Sequence, residues 1–479
     1  MRDFRPLLLL LFAAIAALTN SAPSGDRRPL AFTHVKVVDA TSKSVQADMT
    51  VVITGKYISA LGKSGKTPVP QGAEVVDASD KFMIPGLWDM HVHLFGSRDL
   101  LLPMLVANGV TGVRDMGISF DQLKQVHQWR EEIAAGRLLG PRIFSPGPIL
   151  TGSKPPRPIW PGSIAVADER EARAAVNRLL IAGVDFVKVY DFVPREAYFA
   201  IADESRKQEV PFVGHTPDSV SALEASDSHQ KSIEHLTGLL LACSIDEEHL
   251  RIELIEGTIN SDSAMAVHVR RQVDVASLET YNETKAAKLL AHFVKNRTWQ
   301  VPTLFFLQVA ENSSGNNKDE ELSNYIPRSM REAVKIFKEN MKKRLTSEDI
   351  AGGRKVFQKQ LQLVGAMNRA GVQLLAGTDL VLYPGFSLHD ELGLLVQAGL
   401  TPMEALQTAT RNPARYFGLE DSLGTIEKGK LADLVLLGAD PLKDISNTRE
   451  ISAVVLNGRF ITRSTLDAML VEAEAAANQ

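Results

Sequence analysis

The chain has 479 residues, of which 44% are hydrophobic and 23% charged, a composition typical of globular rather than disordered proteins. Its 53 Lys and Arg residues against 57 Asp and Glu residues give a net charge of −4, which offers no basic surface for nucleic acid. The single cysteine, Cys243, excludes an internal disulfide framework and a cysteine-based zinc site.

The first 22 residues predict a secretory signal peptide. Arg2 and Arg5 precede an apolar run over residues 7–18, and small polar residues follow. Because a membrane span needs about 20 apolar residues, this run is too short for a permanent anchor. We therefore expect removal of residues 1–22 and a periplasmic or secreted mature protein with no membrane span.

Both ends of the remaining chain predict short β-strands. Residues 30–84 and 420–465 are interpreted as one composite β-sandwich domain, with a hairpin turn at Asn457-Gly458. The expected strands are 32–39, 49–54, 57–61, 424–426, 433–438 and 451–460.

Residues 85–419 alternate between short apolar strands and amphipathic helices, the helices at 121–135, 168–182 and 195–208. This alternation predicts an α/β fold, a parallel (β/α)8 TIM barrel. Extra helices near 239–297 and 305–369 are interpreted as insertions that cover the barrel mouth or form an interface. The eight predicted strands are 87–94, 110–115, 142–145, 186–190, 212–215, 232–236, 300–304 and 373–377.

Four histidines, a lysine and an aspartate lie at or near the ends of these strands. His91 and His93 alternate along one strand, so both imidazoles project from the same face. Any one of these residues alone would more often be a buried structural residue, but barrel enzymes place their catalytic groups at the C-terminal ends of strands. The other such residues are Lys188, His215, His235 and Asp379.

The motifs around these residues resemble those of the amidohydrolase superfamily of metal-dependent hydrolases. The chain is most similar to the group that contains imidazolonepropionase and Xaa-Pro dipeptidases. The matching motifs are PGLWDMHVH at 85–93, VKV around Lys188, the two histidine strands, GTD at 377–379, GTIEKGKLADLVLL at 424–437 and VVLNG at 454–458.

The resemblance implies a metal-dependent hydrolase with two divalent ions, for which zinc is expected. His91, His93 and Asp379 would bind one ion and His215 and His235 the other, and Lys188, carbamylated by carbon dioxide, would bridge them. A hydroxide held between the ions would attack the substrate carbonyl, and Asp379 would be the catalytic proton shuttle.

The resemblance also implies cleavage of a C–N amide bond in a dipeptide, an Xaa-Pro or an N-acyl amino acid substrate. The group often carries TGGH, whose histidine helps to bind substrate, but residues 151–154 of this chain read TGSK. Lys154 and Arg157 could bind a substrate carboxylate beside Trp160, or form a solvated loop, and Tyr190 could hydrogen-bond the carbonyl. A lactonase or cyclic-amide hydrolase with the same site, and a non-catalytic metal- or ligand-binding protein, remain open.

Two further expectations concern contacts. Arg114 and Asp115, adjacent in the second barrel strand, are expected to form a structural ion pair. The expected partner is a small molecule that could carry a carboxylate, with no role for nucleic acid, and the chain could form a homo-oligomer.

Overall fold

The computed structural model describes residues 28–41, 44–153, 162–259, 261, 263–311, 322–332, 335–336, 339, 346–379 and 384–479. The predicted signal peptide at 1–22 lies outside these residues, as do Lys154, Arg157 and Trp160.

The strands of the described residues follow one another in this order: β1 Leu30–Val37, β2 Gln46–Thr54, β3 Tyr57–Lys63, β4 Glu74–Asp77, β5 Phe82–Pro85, β6 Leu87–Val92, β7 Val110–Asp115, β8 Arg142–Phe144, β9 Leu150–Gly152, β10 Ile164–Val166, β11 Val187–Val189, β12 Phe212–Gly214, β13 Ser232–Glu234, β14 Trp299–Val301, β15 Leu434–Leu437, β16 Ile451–Leu456 and β17 Arg459–Thr462.

The α-helices are α1 Arg98–Ala107, α2 Phe120–Ala134, α3 Glu169–Ile181, α4 Arg195–Lys207, α5 Ala222–Asp227, α6 Leu239–Ala242, α7 Glu247–Thr258, α8 Ser263–Glu279, α9 Glu283–Asn296, α10 Leu304–Glu311, α11 Ser347–Ala370, α12 Phe386–Gln397, α13 Pro402–Thr408, α14 Arg411–Phe417 and α15 Arg463–Ala477. Short 3-10 helices occur at Leu322–Tyr325 and Ile445–Arg449.

One eight-stranded sheet contains strands from both ends of the chain. Its order is β17-β16-β15-β5-β1-β2-β3, with β4 paired to β1. The two ends meet where β15 pairs antiparallel with β5, with Val435 opposite Ile84. The predicted turn at Asn457-Gly458 joins β16 to β17, and both residues have the positive φ that a tight hairpin turn requires. The expected strand at 424–426 was wrong, because this segment contains no strand.

The middle of the chain contains two parallel sheets, which confirms the predicted α/β class. Their strand orders are β6-β7-β8 and β10-β9-β11-β12-β13-β14. Six predicted barrel strands contain observed ones and a seventh overlaps β14, whereas the sequence did not predict β9 and β10. Several of the intervening helices begin at polar caps; the Ser119 side chain, for example, accepts the Gln122 N–H at the start of α2.

The eighth predicted strand, 373–377, was only partly correct. It forms one isolated parallel bridge, Leu374 to Gln300, rather than a strand. The ladder breaks because the Ala376 N–H donates to the carbonyl of Thr408 instead of to a neighbouring strand. The segment still lies beside β6, because the Met90 N–H donates to the Ala376 carbonyl at 2.9 Å.

The seventh predicted strand, 300–304, was wrong at its C-terminal end. The observed strand β14 ends at Val301, and Leu304 begins helix α10. Thr303 between them has a φ of 47°, which ends the extended conformation. The buried Glu391 carboxyl group then accepts a hydrogen bond from the Phe305 N–H at 2.7 Å and caps the new helix.

Apolar residues on the parallel strands form a core of their own. Trp88, Met90, Val213 and Val301 are buried together in it. Helices α6–α9 occupy the first predicted insertion, 239–297. Among the described residues, no helix combines the length and apolar character that crossing a membrane requires.

Candidate metal centre

All six predicted ligand residues line one cavity of about 530 Å³. His91 lies on β6, His93 follows it, and Lys188 lies on β11. His215 and His235 directly follow β12 and β13, and Asp379 follows the segment 373–377. Residues far apart in the sequence therefore meet at the ends of neighbouring parallel strands.

Asp379 lies at the centre of the histidines. Its Oδ1 is 3.0 Å from His93 Nε2 and 3.4 Å from His91 Nε2, and its Oδ2 is 3.7 Å from His235 Nε2. Ligand atoms of His91, His235 and Asp379 all lie within 4.8 Å of one another. Burial would raise the pKa of Asp379, but the neighbouring imidazoles of His91 and His235 hold it well below its ordinary value. Asp379 is therefore a carboxylate at neutral pH.

His91 is oriented by a buried carboxylate. Its Nδ1 lies 2.9 Å from Glu234 Oε2, and both side chains are fully buried. The ring therefore presents Nε2 to the cavity. Among the described residues this buried nitrogen has no hydrogen-bond partner, although Asp379 lies near it. A buried polar atom left in this way is uncommon in proteins and marks a position where a ligand is needed.

Arg114 holds the same carboxylate from the other side. Its Nη2 donates to Glu234 Oε2 at 2.7 Å, and its Nε donates to the Met90 carbonyl. The expected ion pair between Arg114 and Asp115 was therefore wrong: Asp115 accepts hydrogen bonds from Ser145 Oγ and the Leu94 N–H. Adjacent residues of a strand point to opposite faces, which separates the two side chains.

The two remaining histidines are tied through Nδ1 as well. His215 Nδ1 bonds to Asp191 Oδ1, and His235 Nδ1 lies 2.7 Å from Thr303 Oγ1. In both rings Nε2 is the atom left for a ligand. Burial lowers the pKa of His215 to about 4, so the imidazole is neutral at pH 7, the form that binds metal.

Lys188 is almost fully buried, with 1% of its surface exposed. Burial lowers the pKa of its amine to about 8, although the nearby carboxylates of Glu234 and Asp379 oppose the shift. A buried ammonium is costly, so this position favours either the neutral amine or a modified form.

Several residues around the cavity have positive φ values, a backbone conformation that residues other than glycine usually avoid. His235, Thr303 and Asp379 have φ values of 56°, 47° and 53°, each just after the end of a strand or strand-like segment. Strained backbone of this kind persists where the surroundings impose it, commonly at functional sites. Gly377 allows its segment to approach β6, because a Cβ there would lie 2.8 Å from His91 Cβ.

Comparison with known proteins identifies the family of this chain. A model of the amidohydrolase family matches residues 82–461. The chain belongs to the amidohydrolase family. The predicted family is therefore confirmed, as is the enzyme class that it implies, a hydrolase.

Individual relatives of this amidohydrolase are distant. Ochratoxinase from Aspergillus niger is 22% identical over 90% of this chain and 82% of its own. The solved structure of a bottromycin amidohydrolase covers 95% of this chain and 92% of its own at 21% identity, with a TM-score of 0.73. The solved structure of a Xaa-Pro dipeptidase with bound methionine covers 91% of this chain and 100% of its own, at 20% identity and a TM-score of 0.65. Imidazolonepropionase from Pseudomonas paraeruginosa is 40% identical to this chain, but the matched region spans only 16% of this chain and 20% of that protein.

Divalent metal fits the residues of this amidohydrolase. Three imidazoles, each held through Nδ1, and a central carboxylate form a donor set that zinc prefers. The unpartnered Nε2 of His91 is the decisive atom, because a metal would satisfy it.

Three residues that orient these histidines were not predicted from the sequence. Glu234, Asp191 and Thr303 each bond to a ligand histidine, yet none was selected. Glu234 stands next to His235 and Asp191 next to Tyr190, so a search for carboxylates beside every selected residue would have found them. Of the predicted substrate residues within the described chain, Tyr190 lines the cavity, with its ring 4.4 Å from that of His215.

Proposed function

We propose that this amidohydrolase cleaves the C–N amide bond of a small molecule with the help of two divalent ions. The observation that carries the proposal is the group of His91, His235 and Asp379, whose ligand atoms lie within 4.8 Å of one another in the cavity. Relatives named for amide substrates, a Xaa-Pro dipeptidase and a bottromycin amidohydrolase, support the choice of an amide.

The ligands divide between two ions as the family resemblance implies. One ion, zinc by preference, would be held by His91, His93 and Asp379, and the second by His215 and His235. Lys188 would join both as a carbamate, formed when its neutral amine adds carbon dioxide and loses a proton. This modification replaces a costly buried cation with an anionic oxygen ligand. When bound, two such ions lower the pKa of water and polarise a carbonyl.

Asp379 carries the proton in this proposal. Its ionised carboxylate accepts a proton from the attacking water and then donates it to the leaving nitrogen, so the products are a carboxylic acid and an amine. Tyr190 lines the same cavity, and we propose that its hydroxyl donates a hydrogen bond to the substrate carbonyl oxygen.

The fold that supports this chemistry is proposed to be a closed (β/α)8 barrel over residues 85–419. Hydrogen bonds beyond the two parallel sheets support closure: Asp185 N–H donates to the Ser145 carbonyl on one side, and Leu375 N–H to the Gln300 carbonyl on the other. The sheet that joins both chain ends would be the composite β-sandwich domain, and residues 1–22 would direct export to the periplasm or the exterior.

Metal removal and substrate comparison test the function. The purified enzyme, stripped with a chelator and reloaded with zinc, is assayed against N-acyl amino acids, Xaa-Pro dipeptides and lactones. We expect amide turnover that disappears with the metal and returns with it. Rapid lactone turnover without amide turnover would overturn the amide assignment. Stable binding of two ions without turnover of any substrate would instead favour a binding protein and overturn the enzyme.

A further inference from the structure

The inserted helices form a small apolar cluster beside the metal centre. Leu241 on α6, Leu250 and Leu254 on α7, and Val273 on α8 are buried together. Leu241, Leu254 and Val273 also line the cavity, whereas Leu250 does not belong to its lining. The insertion therefore presents one side of its own core to the site.

This apolar surface continues across residues outside the cluster. Leu236 and Leu240 follow β13, and the Phe306 ring on α10 lies 5.5 Å from that of His235. We call the six side chains together the apolar wall: Leu236, Leu240, Leu241, Leu254, Val273 and Phe306. The wall lies next to the proposed metal ligands, so a group bound against it would be part of the molecule that reacts.

The arginines of the cavity lining already have anionic partners. Arg270 donates two hydrogen bonds to Asp218, at 2.7 and 2.8 Å, and lies 3.5 Å from Asp191. Arg251 donates to Glu247 at 2.8 Å. Their charges are therefore compensated within the protein, and a substrate carboxylate would have to compete with these partners.

We propose that the substrates of this site are amides that carry an uncharged, bulky alkyl or aryl group, bound against the apolar wall. The inference rests on the proposed amide hydrolysis and adds the substrate class. Lys154 and Arg157, the residues that could bind a substrate carboxylate, lie outside the described residues. A cavity of about 530 Å³ has the size of sites for small organic ligands.

The dependence of turnover on the alkyl-chain length of the substrate tests the proposal. Two series of amides are assayed with the zinc-loaded enzyme: p-nitroanilides of linear acids from acetyl to octanoyl, and acetamides of linear alkylamines. In one series or the other, kcat/KM is expected to rise about fourfold per methylene group until the wall is covered. Flat profiles in both series, in turnover and in the binding measurement below, would overturn the proposal.

Binding without chemistry separates this proposal from the proposed function. Neutral N-alkyl methanesulfonamides contain no carbonyl to hydrolyse, and their affinity is measured by calorimetry. Affinity that rises with alkyl length supports the wall even if no amide is turned over, in which case the hydrolase proposal alone fails. Affinity independent of alkyl length overturns the wall even if amides are hydrolysed.

A matched pair of variants locates the effect. Leu254→Ala and Leu250→Ala each remove a leucine from the same cluster, but only Leu254 lines the cavity. Leu254→Ala is expected to lower affinity for the longest sulfonamide about tenfold relative to the shortest, and Leu250→Ala to leave that ratio within about twofold. Thermal unfolding checks that both variants are folded. Equal losses of selectivity in the two would contradict the assignment.

Discussion

Replacing Glu234 with glutamine is expected to weaken both the fold and the metal centre. The Glu234 carboxylate accepts a hydrogen bond from Arg114 Nη2 at 2.7 Å and lies 2.9 Å from His91 Nδ1. The side chain is fully buried. Burial alone would raise the pKa of Glu234, but the charge of Arg114 and the hydrogen bond with His91 hold it below its ordinary value, so the group is ionised at neutral pH. Glu234→Gln keeps the shape of the side chain and removes this charge.

The expected loss follows from the contacts that remain. The Arg114 guanidinium would stay buried among the Met90 carbonyl, Ser232 and Tyr416, which are neutral groups. Removing one partner of a buried ion pair costs about 3–5 kcal/mol, because the other charge is left without compensation. His91 would also lose the anion that orients it, and removing such a partner commonly lowers metal affinity about 10- to 100-fold.

Urea unfolding and zinc titration measure the two effects separately. Glu132→Gln is the control, because Glu132 pairs with Arg98 at 2.7 Å on the surface, where both side chains are more than a third exposed. The control is expected to cost about 0–1 kcal/mol and to leave zinc affinity unchanged. A Glu234→Gln protein as stable as this control, with normal zinc affinity, would refute the reasoning.

Four further outcomes are expected. Asp379→Asn should retain most of the bound metal but lose about 10²- to 10⁴-fold in kcat, and near-normal turnover would exclude its role as proton carrier. Lys188→Ala should bind fewer than two ions per chain by elemental analysis, whereas full occupancy would contradict a bridging ligand. Gly377→Ala should lower the free energy of unfolding by about 1–3 kcal/mol in urea, because its Cβ would clash with His91, and an unchanged midpoint would contradict this. Burial raises the pKa of Glu391 to about 8 from 4.5, so the native state holds a proton that the unfolded chain releases. The free energy of unfolding should therefore fall as pH rises from about 4.5 to about 8, and Glu391→Gln should make this fall less steep. The same pH dependence in the variant and the parent protein would contradict the expectation.

The clustering of the proposed ligands could be predicted because strand geometry limits where their side chains point. His91 and His93 alternate on one strand, and the other ligands follow apolar runs that end at the same edge of a parallel sheet. The structure brings these residues into one cavity. The parallel arrangement was equally predictable, because it depends on alternation repeated over hundreds of residues.

The orienting residues could not be predicted from the same rule. On a regular strand, Glu234 would face away from His235, so a role at the same site was not expected. In the structure β13 ends at Glu234, and His235 has a φ of 56°, which frees its side chain from the alternation. Strand-end irregularity of this kind depends on tertiary contacts such as the bond between His235 and Thr303, which are 68 residues apart.

The hydrogen bonds around the site also determine when it can form during folding. His91 is 143 residues from Glu234, Asp89 is 289 residues from Thr378, and Arg114 is 302 residues from Tyr416. Contacts of such long range form slowly, because the intervening chain must first be brought together. A nascent chain in which Tyr416 has not yet emerged cannot complete the Arg114 contacts. The site is thus a late product of folding, and its formation reports that nearly the whole chain has reached its native arrangement.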